Sequence, residues 1–123
     1  MAADVTGRRI HVGLMLWVLA AVISGCGRAQ NPEEGVKSLE QTFANPATVP
    51  AIELAIAAVK TNDLGQGVVA LQTAKQIPGL SPEQLQTVEE TAQALTQELL
   101  RRADAGDARA KADLELIERS RSQ

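Results

Sequence analysis

The stretch Ser81-Pro82-Glu83-Gln84 and the residues behind it constrain this chain most. Serine accepts hydrogen bonds from the free N–H groups of a helix start, proline suits the first helical position, and a glutamine three residues after the serine completes a capping box. Beyond it, Leu85, Val88, Ala92, Leu95 and Leu99 recur at spacings of 3, 4, 3 and 4. The pattern predicts one long helix to about residue 104, roughly 34 Å at 1.5 Å per residue, with a narrow apolar seam. That seam lasts about two and a half heptads, short of the three or four that mark a coiled coil. Packing against helices of the same chain is the first reading. A homo-oligomer joined through Leu85, Val88, Ala92, Leu95 and Leu99 is the alternative.

Other punctuation divides the rest into shorter helices. Asn31-Pro32-Glu33-Glu34 reads as N-cap, first-position proline and acidic first turn, with Val36, Leu39 and Phe43 as a stripe to about residue 44. Asn45-Pro46 and Val49-Pro50 mark a loop and a second helix start; Ile52, Ile56 and Val59 form one stripe there, and Ala51, Ala55 and Ala58 a small-residue face. Thr61-Asn62-Asp63 ends it. Asp63 is the expected cap of a third helix to about residue 76, carrying Val68, Leu71, Ala74 and Ile77. Gly65 and Gly67 imply a frayed start or a tight contact with the preceding helix. Pro78-Gly79 turns the chain into the long helix, at whose end Leu100 is expected to pack on a neighbour and Arg101-Arg102 to face the helix dipole. Gly106 and Asp107 then end that helix and cap a last one, with Ala110, Leu114 and Ile117 on one side. The fold class is all-α: four or five short amphipathic helices, as hairpins or a bundle, over residues 31–123.

The first 25 residues have a different character. Arg8 and Arg9 precede an apolar run of 14 residues, 10–23, interrupted only by His11 and Gly13. That length suits a signal-peptide core and falls short of the roughly 17 to 25 residues a membrane-spanning helix needs. The run closes on Ile23-Ser24-Gly25-Cys26, and Cys26 is the only cysteine of the chain.

This tetrapeptide resembles the lipobox of bacterial lipoproteins. The resemblance implies that Cys26 receives a diacylglyceryl group on its thiol and becomes the first residue after cleavage by a dedicated peptidase. Ile23 would fill an apolar pocket of that peptidase, and Ser24 and Gly25 would let the backbone enter it. Residues 1–25 are then a signal peptide, and 26–30 the lipidated cysteine with its tether. The continuation Ile10-His11-Val12 does not resemble that of twin-arginine signals, so general secretion is expected. Two or three acyl chains anchor a protein effectively permanently, whereas one binds reversibly. Gly27 after the cysteine resembles lipoproteins exported to the outer membrane, which implies the periplasmic face of that membrane where the organism has two. The tether, residues 27–30, spans at most roughly 14 Å at about 3.5 Å per residue, which keeps the domain close to the bilayer.

A second resemblance involves Leu54, Ala55, Ala58, Gly67, Leu71 and Ala74, followed by Pro78, which fall near the spacing of the tetratricopeptide repeat, a helical hairpin of 34 residues. Ala51 and Ala58 stand where that family has large aromatics. No second copy follows.

Removing residues 1–25 also removes His11 and Trp17, and the chain has no tyrosine. The usual neutral-pH acid–base group, thiol nucleophiles and ordinary transition-metal ligands are then missing. Glu89-Glu90 are adjacent on a helix and do not face each other. The segment 104–115 has the end residues of a calcium loop, but Arg109 stands where that loop needs glycine. Gly65-Gln66-Gly67 lacks the rest of any nucleotide motif. Without Arg8, Arg9 and Asp4 the 12 basic and 15 acidic residues become 10 and 14, and an acidic domain of this kind repels nucleic acid and anionic headgroups. The expectation is no enzyme, no cofactor and no metal. A helical interaction or scaffold module with a protein partner is expected at a membrane, or a self-associating envelope lipoprotein; a carboxylate-only enzyme is the remote alternative.

Overall fold

The computed structural model describes residues 31–123. They form α1 (Pro32–Thr42), a single 3-10 turn (Pro46–Thr48), α2 (Pro50–Lys60), α3 (Leu64–Ala74), α4 (Pro82–Asp104) and α5 (Ala108–Arg121), with no strand among the described residues. The fold is all-α.

Helix starts follow the expected chemistry with one exception. The Asn31 side chain accepts the Glu34 N–H at 2.8 Å. At α4 both halves of the capping box are made: Ser81 Oγ accepts the Gln84 N–H at 3.1 Å and Gln84 Oε1 accepts the Ser81 N–H at 3.0 Å. Asp107 Oδ1 accepts the Arg109 N–H at 2.9 Å. Asp63, expected to cap α3, makes no such side-chain bond.

Two turns end in the same way. At Gly106, φ is +97°, the Gly106 N–H reaches Ala103 O at 3.0 Å and the Asp107 N–H reaches Arg102 O at 3.0 Å. This is a Schellman motif, which needs a left-handed residue and so favours glycine. Asn62 (φ 59°) plays the same part after α2, where the Asp63 N–H reaches Ala58 O at 2.7 Å. Helix α1 stops at Thr42 rather than near residue 44. Phe43 takes extended backbone angles and is 3 % exposed, its side chain in the core.

Gly35 of α1 lies against Thr91 of α4, and Thr42 and Thr87 share a hydroxyl hydrogen bond of 3.1 Å, so α1 runs antiparallel to α4. Gly67 of α3 lies against Leu95 and Lys75 against Glu89, so α3 does the same. Helix α5 packs on both α3 and α4 and runs parallel to α3, with Asp113 at Gly65 and Ser120 at Gln72. The long helix is therefore flanked by α1, α3 and α5, and α2 closes over α1 and α3.

This arrangement corrects the narrow seam. Val88, Leu95 and Leu99 are buried within the chain's own core, but so are Thr91 and Ala94, while Ala92 is half-buried and Leu85 is 37 % exposed. A helix gripped from two sides buries a broad face rather than a coiled-coil stripe. Leu100, expected to pack on a neighbour, is 48 % exposed. The core is completed by Leu39, Ile52, Val68 and Leu71, all fully buried, each worth about 1.5–3 kcal/mol of burial.

The glycines in the helices set the spacing. A Cβ on Gly35 would stand 2.7 Å from Thr91 Cγ2, and one on Gly67 would stand 3.0 Å from Leu95 Cδ1 and 3.7 Å from Ala58 Cβ. The expected close approach of α3 to α2 is thus present at Gly67, with α4 sharing it. At Gly65 the neighbour is Asp113 of α5 instead.

Gly35→Ala is expected to destabilise the protein by about 1–3 kcal/mol through overpacking, outweighing the roughly 1 kcal/mol that alanine gains over glycine in a helix. Adding Thr91→Ser, which removes the clashing methyl, should recover most of that loss. Denaturant unfolding followed by circular dichroism checks both, and a Gly35→Ala variant as stable as the parent contradicts the close approach.

Candidate functional site

Ile23, Ser24, Gly25 and Cys26, the site residues the sequence singles out, lie outside the described residues. Within the described domain, polar side chains gather in two places, one at each end of the α3–α4 pair.

The first is where the α2–α3 turn meets the end of α4 and the start of α5. Glu98 accepts from Arg101 through Nε at 2.9 Å and Nη2 at 2.6 Å, and from Arg102 Nε at 3.0 Å. Arg102 also donates through Nη1 to Asn62 Oδ1 at 2.9 Å, which ties α4 to the left-handed residue of the α2–α3 turn. Arg109 and Asp63 form a looser pair at 3.7 Å. The hydrogen bond from Arg101, with that from Arg102 and both positive charges, outweighs partial burial and holds the Glu98 carboxyl down at about 2. Every partner is engaged by another group of the same cluster, so this end is a clasp between helices.

Asp113 belongs to the same end. Its carboxylate stands at the first turn of α3, beside Gly65, where Asp63 leaves the helix without a side-chain cap. Burial pushes its pKa up, aided by the negative charges of Asp63 and Asp107; Arg109 and the Gly65 N–H oppose this. A helix N-terminus favours a nearby carboxylate, and α5 here supplies one to α3 from across the interface.

The second place is a groove of about 360 Å³ between α3, α4 and the end of α5, lined by Lys75, Glu89, Gln93, Thr96, Gln97 and Arg121 over a floor at Ala92. Lys75 and Glu89 form an open ion pair at 3.7 Å. Thr96 donates to its own helix at Ala92 O, 2.8 Å away. Glu90, adjacent to Glu89, points elsewhere and accepts from Gln86 Nε2 at 2.9 Å. The lining has two cations, one carboxylate and two amides, an inventory able to donate and accept hydrogen bonds.

Sequence reasoning missed this groove. One wall is a single face of α4, where Glu89, Gln93 and Gln97 recur every four residues beside Ala92 and Thr96, but Lys75 and Arg121 are brought to it from distant parts of the chain. Of the residues resembling a tetratricopeptide repeat, Ala55, Gly67, Leu71 and Ala74 are buried and Ala58 is half-buried, but Leu54 is 64 % exposed. Among the described residues no cluster of histidine, cysteine, aspartate or glutamate could hold a metal ion. No described helix is long and apolar enough to cross a membrane.

The two perturbed carboxyls give stability opposite pH dependences. Glu98 has a folded value, about 2, below its ordinary 4.5, so its contribution is present above 4.5 and lost as pH falls towards 2. Glu98→Gln should flatten that acid limb in urea unfolding measured across pH; an unchanged limb contradicts the clasp. Asp113 has a raised folded value, so its contribution is present below the ordinary aspartate range and lost as pH rises through the folded value. Asp113→Asn keeps an acceptor and removes the buried charge, and should equal or exceed the parent's stability at pH 7. Asp113→Ala should lose about 1 kcal/mol.

Comparisons of the chain with protein-family models, with curated proteins and with solved structures found no match.

Proposed function

We propose that this chain is a lipid-anchored helical interaction module, held at a membrane surface through Cys26 and offering the surface of its helical domain to a protein partner. The observation that carries the reading is the tetrapeptide Ile23-Ser24-Gly25-Cys26 at the end of an apolar run of signal-peptide length. Residues 27–30 then separate the anchor from Asn31, the cap of α1, so the domain is kept within roughly 14 Å of chain from the bilayer.

The character of the domain supports the second half. It has no His, Trp, Tyr or Cys among residues 31–123, and its polar side chains form a clasp and an open groove. Self-association through the α4 seam is not part of this reading, because Val88, Leu95 and Leu99 are buried inside the single chain.

Mild crosslinking in intact cells, followed by detergent extraction and capture of the full chain, tests the proposal. The wild type should bring down a specific protein from the membrane fraction and incorporate labelled fatty acid, and Cys26→Ala should lose the label. A wild type that captures nothing specific overturns the interaction reading, and equal fatty-acid label in the wild type and Cys26→Ala overturns the anchor.

A further inference from the structure

We infer that the groove between α3, α4 and α5 is the docking site of that module, and that its occupant is a short, extended, acidic segment of a protein partner. This rests on the interaction reading and adds to it the surface and the partner's chemistry.

Three observations support the assignment. The first is charge. Residues 31–123 have 14 acidic side chains against 9 basic ones, yet the groove lining reverses the balance, with Lys75 and Arg121 against Glu89 alone. An anionic segment is repelled by most of the domain and attracted here.

The second is the state of the donors. The Arg121 guanidinium makes no ion pair among the described residues, and the amides of Gln93 and Gln97 have no hydrogen-bond partner among them. Lys75 reaches Glu89 only at 3.7 Å, with both side chains well exposed. An arginine fork suits a carboxylate, while a glutamine both donates and accepts, matching the N–H and C=O of a peptide unit.

The third is dimension. From Glu89 to Gln97 the groove follows α4 for roughly 12 Å at 1.5 Å per residue. An extended chain covers that distance in three or four residues at about 3.3 Å each. The lining has no aromatic side chain, which disfavours a nucleobase or a stacked sugar.

Lys75 is the C-cap of α3 and Arg121 the last residue of α5, so helix dipoles alone favour cations at these positions. A capping role changes stability without creating a binding site, and the two are separable. The full chain, isotope-labelled in neutral detergent micelles, is titrated with hexaglutamate and, separately, with hexaglutamine and free glutamate. Hexaglutamate should shift the resonances of Gln93, Gln97 and Lys75, weaken with added salt, and bind at least about tenfold less well to Lys75→Gln/Arg121→Gln. Arg101→Gln, outside the groove, should bind as the parent does, and melting curves show whether each variant is folded.

No shifts with hexaglutamate, shifts spread equally over Lys60, Arg101 and Arg109, or an equal response to free glutamate each overturn the assignment. In the crosslinking experiment, capture of the same partner by a folded Lys75→Gln/Arg121→Gln variant overturns the groove and leaves the interaction module standing. A wild type without any partner overturns the module itself.

Discussion

The close contact of α4 with α1 and α3 is the constraint on which the remaining structure depends. It exists because two glycines bring backbones where a side chain would stand: Gly35 opposite Thr91 and Gly67 opposite Leu95. With those approaches made, Val88, Leu95 and Leu99 can all be buried by a chain that has few large apolar residues. A small domain buries a smaller share of its surface than a large one, so close helix approach substitutes for bulk. Thr91 shows how little slack there is. It is fully buried, its methyl fills the space at Gly35, and its hydroxyl donates back to Thr87 O at 2.8 Å.

The polar features follow from that central packing. Because α3 and α5 lie side by side against α4, their starts come together at one end, where Asp113 serves the first turn of α3 and Glu98, Arg102 and Asn62 hold the turns in register. At the other end the same three helices leave the groove of Lys75, Gln93, Gln97 and Arg121. The two clusters use similar residue types differently. At the clasp each cation is bound to a neighbour; in the groove Arg121 and the amides face solvent.

The elements were largely legible in the sequence because their signals are local. The capping box at Ser81, the proline after Asn31 and the left-handed glycine at 106 each act within a few residues, and each forms as the local chemistry directs. What was not legible depends on partners distant in the chain. Asp63 looked like the cap of α3, but the carboxylate at that helix start comes from Asp113, some fifty residues later. The period of Leu85 to Leu99 indicated one stripe, whereas α4 is held on two sides and also buries Thr91 and Ala94. Leu100 illustrates the reverse error, since hydrophobicity alone does not say which side of a helix is covered. The groove's α4 wall had a local signal in Glu89, Gln93 and Gln97, four apart, whereas Lys75 and Arg121 join it only through the fold.

We propose that the helical domain follows a lipid-bearing cysteine, and the central claim is that Cys26 begins the mature protein and carries lipid. Intact mass spectrometry of the protein purified from membranes tests this most directly. The account predicts the mass of residues 26–123 increased by a diacylglyceryl group, with or without a further acyl chain on the new amino terminus. The unmodified mass of the whole chain, or a cleaved chain whose Cys26 thiol is free, would contradict it.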